Sequence, residues 1–315
     1  MSRPRIVLDC DPGQDDAIAI LCAARYGELV GITTVSGNVD VERTTINALL
    51  VTQLAGLDVP VHAGAARPLV GEATHADHVH GTSGLDGPTL PSLEREPASR
   101  DAVGYLLDIA ADDTWLVPTG PLTNVALALQ RDPTLLTRFA GVTLMGGGVN
   151  VGNATPTAEF NIWADPEAAA TVFSAGAPMT MIGLNLTQQV RMGPSEAQQL
   201  RAAGSATAEM VADILDFYSA STASARAAGG AAIHDPCAVL HVTHPDVVSA
   251  HRRSVVVETN GYHTRGMTVV DERIAPRTPG EVPADDVNHE VSVGYGVDAD
   301  RVRDLIVEAA IAPLA

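Results

Sequence analysis

The sequence predicts an α/β fold: a single domain with an open, mostly parallel sheet, flanked by helices, with its site at the carboxyl ends of the strands. Three observations carry that expectation. Short apolar runs alternate with helical patterns along most of the chain, which is how βαβ units are written. Polar clusters follow the ends of several of those runs, where open parallel sheets bind ligands. No internal repeat or low-complexity linker divides residues 1–315, and a hydrophobic fraction of 46% supplies a large core.

The first strand is the apolar run Ile6-Val7-Leu8. A Pro12-Gly13 turn follows, and an alanine-rich pattern predicts a helix over residues 14–26. Leu29 to Val35 reads as a second strand ending at Ser36-Gly37-Asn38. A long helix is expected from about 40 to 55, then a short strand at Val59 to His62. Residues 64–97 break the rhythm with Gly, Pro, His and Asp, and loops of that length in compact domains are usually functional or mobile. The alternation resumes with a helix near 100–111 and a strand at Trp115 to Val117, turning at Pro118-Thr119-Gly120 into another helix. Val142 to Met145 runs as a strand into three glycines. Asp165-Pro166-Glu167 opens a helix as N-cap, N1 proline and first-turn acid. Met179 to Gly183 is a further strand, and Ser195 with Gln198 suggests a capping box. Residues 205–226 read as a helix. Ser254 to Glu258 and Met267 to Asp271 are expected to pair as a hairpin, with Asn260-Gly261 near its turn. A final helix spans about 298–311.

Composition narrows the function. Aromatics are only 3%, so Val, Leu, Ile and Ala must build the core. The formal charge of −19, with no lysine in the chain, argues against nucleic acid or an anionic membrane as partner. Cys10, Cys22 and Cys237 are odd in number and lack metal-type spacing, which suits thiols in a reducing compartment. No apolar run approaches the roughly 20 residues of a membrane span, and no signal-peptide pattern opens the chain. A soluble, cytoplasmic protein is expected.

The chemistry concentrates in Asp9-Cys10-Asp11-Pro12-Gly13-Gln14-Asp15-Asp16. One or two acids in the first turn of a helix are ordinary, because the unpaired N–H groups there carry partial positive charge. Four carboxylates this close repel one another unless a cation gathers them, and a hard divalent ion such as calcium takes oxygen ligands. An EF-hand fails because Gly13 sits where a ligand is needed. Asp9-x-Asp11 after a strand also resembles the nucleophile and acid of haloacid-dehalogenase-type phosphohydrolases, but Pro-Gly follows where that family has Gly-Thr. Elsewhere, Asp235 before Pro236 reads most simply as a helix cap. His75, His78 and His80 lack the partners of a zinc site, and His75 and His78 suit a solvated loop. Asn161 alone would be a turn residue. Trp115 and Trp163 suit a core better than a base-binding pocket.

Taken together, the segments identify a family. The aspartate cluster, Val35-Ser36-Gly37-Asn38, His78-Val79-His80-Gly81, Val117 to Asn124, Met145 to Gly148, Glu159-Phe160-Asn161 and His234-Asp235-Pro236 resemble, in order, the inosine–uridine-preferring nucleoside hydrolases. That resemblance implies Ca²⁺ held by Asp11, Asp16, Asp235 and the backbone carbonyl of Thr119. It places Asp15, Asn153, Glu159 and Asn161 on the ribose hydroxyls, with Asn38 supporting the acids. Asp11 would take a proton from the attacking water, His234 would protonate the departing base, and His80 would line the base pocket. The expected reaction is hydrolysis of ribonucleosides to base and ribose through an oxocarbenium-like transition state, by a homodimer or homotetramer. Hydrolysis of another riboside, such as nicotinamide riboside, fits the same motifs, and an inactive calcium-dependent riboside-binding protein is the non-enzymatic rival. Some relatives carry a base-contacting aromatic on the helix before the His-Asp pair; here Tyr218 is present, but Thr222 stands at the next such position, so strict demand for ribose and looser demand for the base are expected.

Overall fold

The structure is a computed structural model and describes residues 3–221, 227, 229–273 and 290–313. Its centre is a nine-stranded sheet. The strands are β1 (Arg5–Cys10), β2 (Glu28–Thr34), β3 (Val61–Ala63), β4 (Thr114–Pro118), β5 (Gly141–Met145) and β6 (Met179–Ile182). A short β7 (Arg191–Met192) and β8 (Ala231–Ala232) form a separate antiparallel ladder. The main sheet is completed by β9 (Val248–Val257), β10 (Thr268–Val270) and β11 (Glu290–Val297).

Strand order across the main sheet is β10-β9-β11-β6-β5-β4-β1-β2-β3. Every neighbouring pair from β3 to β11 is parallel; β9 then pairs antiparallel with both β11 and β10. The chain winds outward from β1 to β3, then returns to the other side of β1 as β4. Strand order therefore reverses between β1 and β4, the crevice where ligands settle in such sheets. Side chains alternate along β1: Ile6, Leu8 and Cys10 enter the apolar core on one face, and Val7 the core on the other. Burial on both faces explains why the strand reads as a continuous apolar run.

Most expected elements are present, with ends shifted by a residue or two. The expected hairpin exists as β9–β10, with Val257 opposite Thr268. Asp165 caps its helix by accepting the Ala168 N–H at 3.0 Å. The capping box expected at Ser195 lies two residues earlier. Gly193 is the N-cap, Pro194 opens the helix, and Glu196 accepts the Gly193 N–H at 2.9 Å. A proline lacks the N–H that an interior position needs, so it fixes the first turn where that donor is not required. The helix expected over 205–226 is described as Ala206–Ser221, and Thr222 lies outside the described residues. Within the loop 64–97 a short helix, Asp77–His80, carries His80 to the site. No helix among the described residues is long and apolar enough to cross a membrane.

Candidate active site

A cavity of about 580 Å³ opens at the carboxyl ends of β1, β4 and β5. Asp11, Asp15, Asn38, His80, Thr119, Asn153, Glu159, Asn161, His234 and Asp235 all line it. Asp16 is fully buried and is not part of that lining. Residues from widely separated parts of the chain are thus brought to one place.

The acids are held by a dense set of donors. Asp11 Oδ2 accepts the Asn38 N–H at 2.7 Å, and Asn38 Nδ2 donates to the Asp11 carbonyl at 3.0 Å. Asp16 Oδ2 accepts the Gly13 N–H at 3.0 Å and Asn38 Nδ2 at 3.3 Å, while Oδ1 accepts the Thr119 hydroxyl at 2.9 Å. Asp15 Oδ2 accepts the His234 N–H at 3.2 Å. Gly13 allows this approach: a Cβ there would lie 2.7 Å from the His80 ring and 2.8 Å from Asn38 Nδ2.

Oxygens of Asp15, Asp16 and Asp235 lie within 4.8 Å of one another, an arrangement able to hold a metal ion. Asp15, expected on the ribose, therefore stands among these acids, while Asp11 adjoins them without belonging to the compact triplet. Burial is the main reason that Asp11, Asp16 and Asp235 are harder to ionise, and repulsion from neighbouring carboxylates adds to it. Asp16 is pushed up to about 7. Buried, oxygen-rich and mutually repelling, the set suits a hard divalent cation, which would replace protons as the compensating charge.

The cavity's second wall starts at the Glu159 carboxylate. Its oxygens accept N–H groups of Gly147 (2.8 Å), Asn161 (2.9 Å) and Ile162 (3.2 Å), yet burial still lifts its pKa to about 7. Asn161 Nδ2 donates to the carbonyls of Thr119 at 2.7 Å and Met145 at 3.1 Å. Asn153 Oδ1 accepts the N–H groups of Ala154 at 2.7 Å and Phe160 at 2.9 Å. His234 Nδ1 pairs with the Thr187 hydroxyl at 2.7 Å, and burial makes its ring harder to protonate. His80 Nδ1 pairs with Gln14, and its ring centroid lies 5.9 Å from that of Tyr218.

Several lining residues escape sequence reasoning. Trp163, expected in the core, lines the cavity beside Phe160, their ring centroids 6.3 Å apart. His75, expected in solvent, also lines it and pairs with Ser36 at 3.2 Å. Gln188 and Arg191 come from the segment leading into β7 and from β7 itself. Asp9, one candidate phosphatase nucleophile, is fully buried, is not among the lining residues, and accepts Thr33 and Asn124 at 2.6 and 2.8 Å. It braces the corner from below.

A reversed strand order, clustered acids at the crevice and a histidine in the same cavity define an α/β enzyme of the ribonucleoside-hydrolase class. The chain belongs to the inosine-uridine preferring nucleoside hydrolase family, whose model matches residues 6–304. It is 41% identical over 313 residues to the pyrimidine-specific ribonucleoside hydrolase RihB of Escherichia coli O157:H7, covering 98% of this chain and 97% of that one. RihB of Shigella sonnei is 42% identical over 277 residues, 86% and 88% of the two chains. Among solved structures, the purine-preferring ribonucleoside hydrolase from Gardnerella vaginalis superposes with a TM-score of 0.89 at 32% identity, over 98% of this chain and 99% of that one. A plant nucleoside hydrolase, PpNRh1, gives 0.87 at 32% identity over the same shares. The protein is a ribonucleoside hydrolase.

Proposed function

We propose that the protein is a calcium-dependent hydrolase that splits pyrimidine ribonucleosides, uridine among them, into base and ribose. One observation carries this reading: a single cavity is lined both by buried carboxylates and by the His234 imidazole. Cleaving an N-glycosidic bond builds positive charge on the sugar and negative charge on the base, and the carboxylates answer the first while the imidazole answers the second. The choice of pyrimidines rests on the 41–42% identity to relatives named as pyrimidine-specific.

In this reading Asp16 and Asp235, with Asp11 and the Thr119 carbonyl, would hold the ion, and the triplet geometry adds Asp15 to the candidate ligands. Bound there, calcium would lower the pKa of the attacking water and favour ionised acids around it. Asp11 takes the water's proton. Asp15, Asn153, Glu159 and Asn161 grip the ribose hydroxyls, and Asn38 holds the Asp11 and Asp16 carboxylates in place. The Glu159 carboxylate acts most strongly when the sugar becomes cationic, which is what acceleration requires. With Nδ1 held by the Thr187 hydroxyl, the His234 imidazolium presents its Nε2 proton and delivers it to the departing base. His80 lines the base end. The chain is read as a single domain, working in the cytoplasm as a homodimer or homotetramer; its three free, buried cysteines agree with a reducing compartment.

The test is a panel of uridine, cytidine, inosine, nicotinamide riboside and 2′-deoxyuridine, with products identified, before and after chelation. Pyrimidine ribosides should be split to base and ribose, 2′-deoxyuridine should fail, and chelation should abolish turnover. Undiminished hydrolysis after thorough demetallation would overturn the calcium reading.

A further inference from the structure

We propose that Arg191 is a specificity-determining residue, a fixed cation that steadies the negative charge gathering on the carbonyl oxygens of a departing oxo-pyrimidine. The assignment rests on the ribonucleoside-hydrolase reading of the same cavity and names the chemistry of its base end.

Among the described residues, Arg191 is the one lysine or arginine that lines the cavity. It sits on β7 opposite Ala232 of β8, and the ladder continues as the Ile233 N–H donates to the Val190 carbonyl at 2.9 Å. His234 follows two residues after Ala232, past the end of β8, as the N-cap of the next helix. Arg191, Ala231, Ala232 and His234 all line the cavity, so the end of this ladder brings the guanidinium and the imidazole into one space.

Arg191 is held but not neutralised. Its NH1 donates to the Gly230 carbonyl at 3.1 Å. Among the described residues no carboxylate forms an ion pair with it, although the protein pairs many of its other arginines. A guanidinium carries five N–H donors and no acceptor, so one backbone bond leaves donors for a ligand. It suits carbonyl oxygens and mismatches amino groups, which are also donors.

The reaction supplies a matching partner. As the C1′–N1 bond breaks, its electron pair stays with the pyrimidine and spreads onto the ring oxygens. The water oxygen forms the new bond to C1′, its proton goes to Asp11, and the base is neutralised by a proton from His234. Uracil offers two carbonyl oxygens to share the charge, while cytosine offers one and an amino group. Arg191 therefore contributes more to the departure of uracil than of cytosine.

The experiment compares wild type, Arg191→Met and Arg191→Lys with uridine, cytidine and 4-nitrophenyl riboside, all in calcium, with thermal melts to confirm folding. For Arg191→Met, kcat/KM for uridine should fall about 10- to 100-fold, the range of a lost charge-assisted hydrogen bond, with most of the loss in kcat. Cytidine should lose less, and 4-nitrophenyl riboside, whose leaving group is already stable, least of all. Lysine should restore much of the uridine activity by restoring the charge. Equal losses on all three substrates, or unchanged uridine turnover, would overturn the assignment while leaving the hydrolase reading intact. A wild-type protein that splits no ribonucleoside would instead refute the parent reading, and the Arg191 assignment with it.

Discussion

Replacing Glu159 with glutamine should make the protein more stable above neutral pH while costing it activity. The Glu159 carboxyl is buried, and its pKa rises from 4.5 to about 7 despite three backbone N–H donors. A group more easily protonated in the folded than the unfolded chain contributes its full stability below the unfolded value and loses it as pH climbs through the folded one. The window here is pH 4.5 to about 7, and the interval corresponds to about 3 kcal/mol. Glutamine resembles the protonated acid and never ionises, so it avoids this loss. Its amide carries one more hydrogen than the acid and sits less well opposite the Asn161 N–H, which returns about 1 kcal/mol. In chelator, Glu159→Gln should therefore melt about 3 °C above wild type at pH 8, and close to wild type at pH 4.5. Turnover of uridine should fall by about 10²–10³, because a neutral amide no longer answers the cationic sugar. Melts at the two pH values decide the matter. A variant less stable than wild type at pH 8, or a difference that ignores pH, would refute the argument that burial dominates this carboxyl.

Further outcomes test the other walls of the cavity. Chelation should abolish uridine hydrolysis, and calcium at about 100 times its Kd should return about 2.7 kcal/mol of stability, read as a rise in melting temperature; an unmoved melt would speak against a metal site at the aspartates. Asp11→Ala should cripple every substrate, and near-wild-type turnover would disprove its role. His234→Ala should slow uridine about 10²–10⁴-fold yet spare 4-nitrophenyl riboside, whose leaving group needs no proton; equal losses would make His234 structural. Asn161→Ala, which removes bonds to the Thr119 and Met145 carbonyls, should cost about 1–3 kcal/mol by denaturant titration.

How much of this was legible in the sequence depends on the distance over which each feature is encoded. The helix Gln14–Tyr26 and the strand before it are local: a doubly buried strand must be apolar throughout, and a glycine N-cap followed by acids announces the first turn. The acids stood out because four carboxylates in eight residues have no cheap explanation without a cation. Their partners came through ordered motifs rather than physics, since nothing in Asn38 or Asn161 alone points to a site. The ladder β7–β8 is two residues long on each side, too short for any periodicity to register. What makes Arg191 interesting is its register against Ala232 some forty positions later, and no local pattern encodes a register. Trp163 departs from its expected place in the core for a related reason. A large ring reads as core because burial is its usual fate, and only the return of its helix to the β5 end turns that ring toward the cavity. Most of the aspartate corner is thus written within residues 11–16, with Asp235 joining it from a distant segment, while the base end is assembled by tertiary pairing. Relatives that differ in base preference should accordingly differ most in segments such as 184–191 and 217–234, and a chimera exchanging those segments should carry base preference with it while leaving the demand for ribose unchanged. Transfer of preference by exchange of the aspartate segment instead would show that this division is wrong.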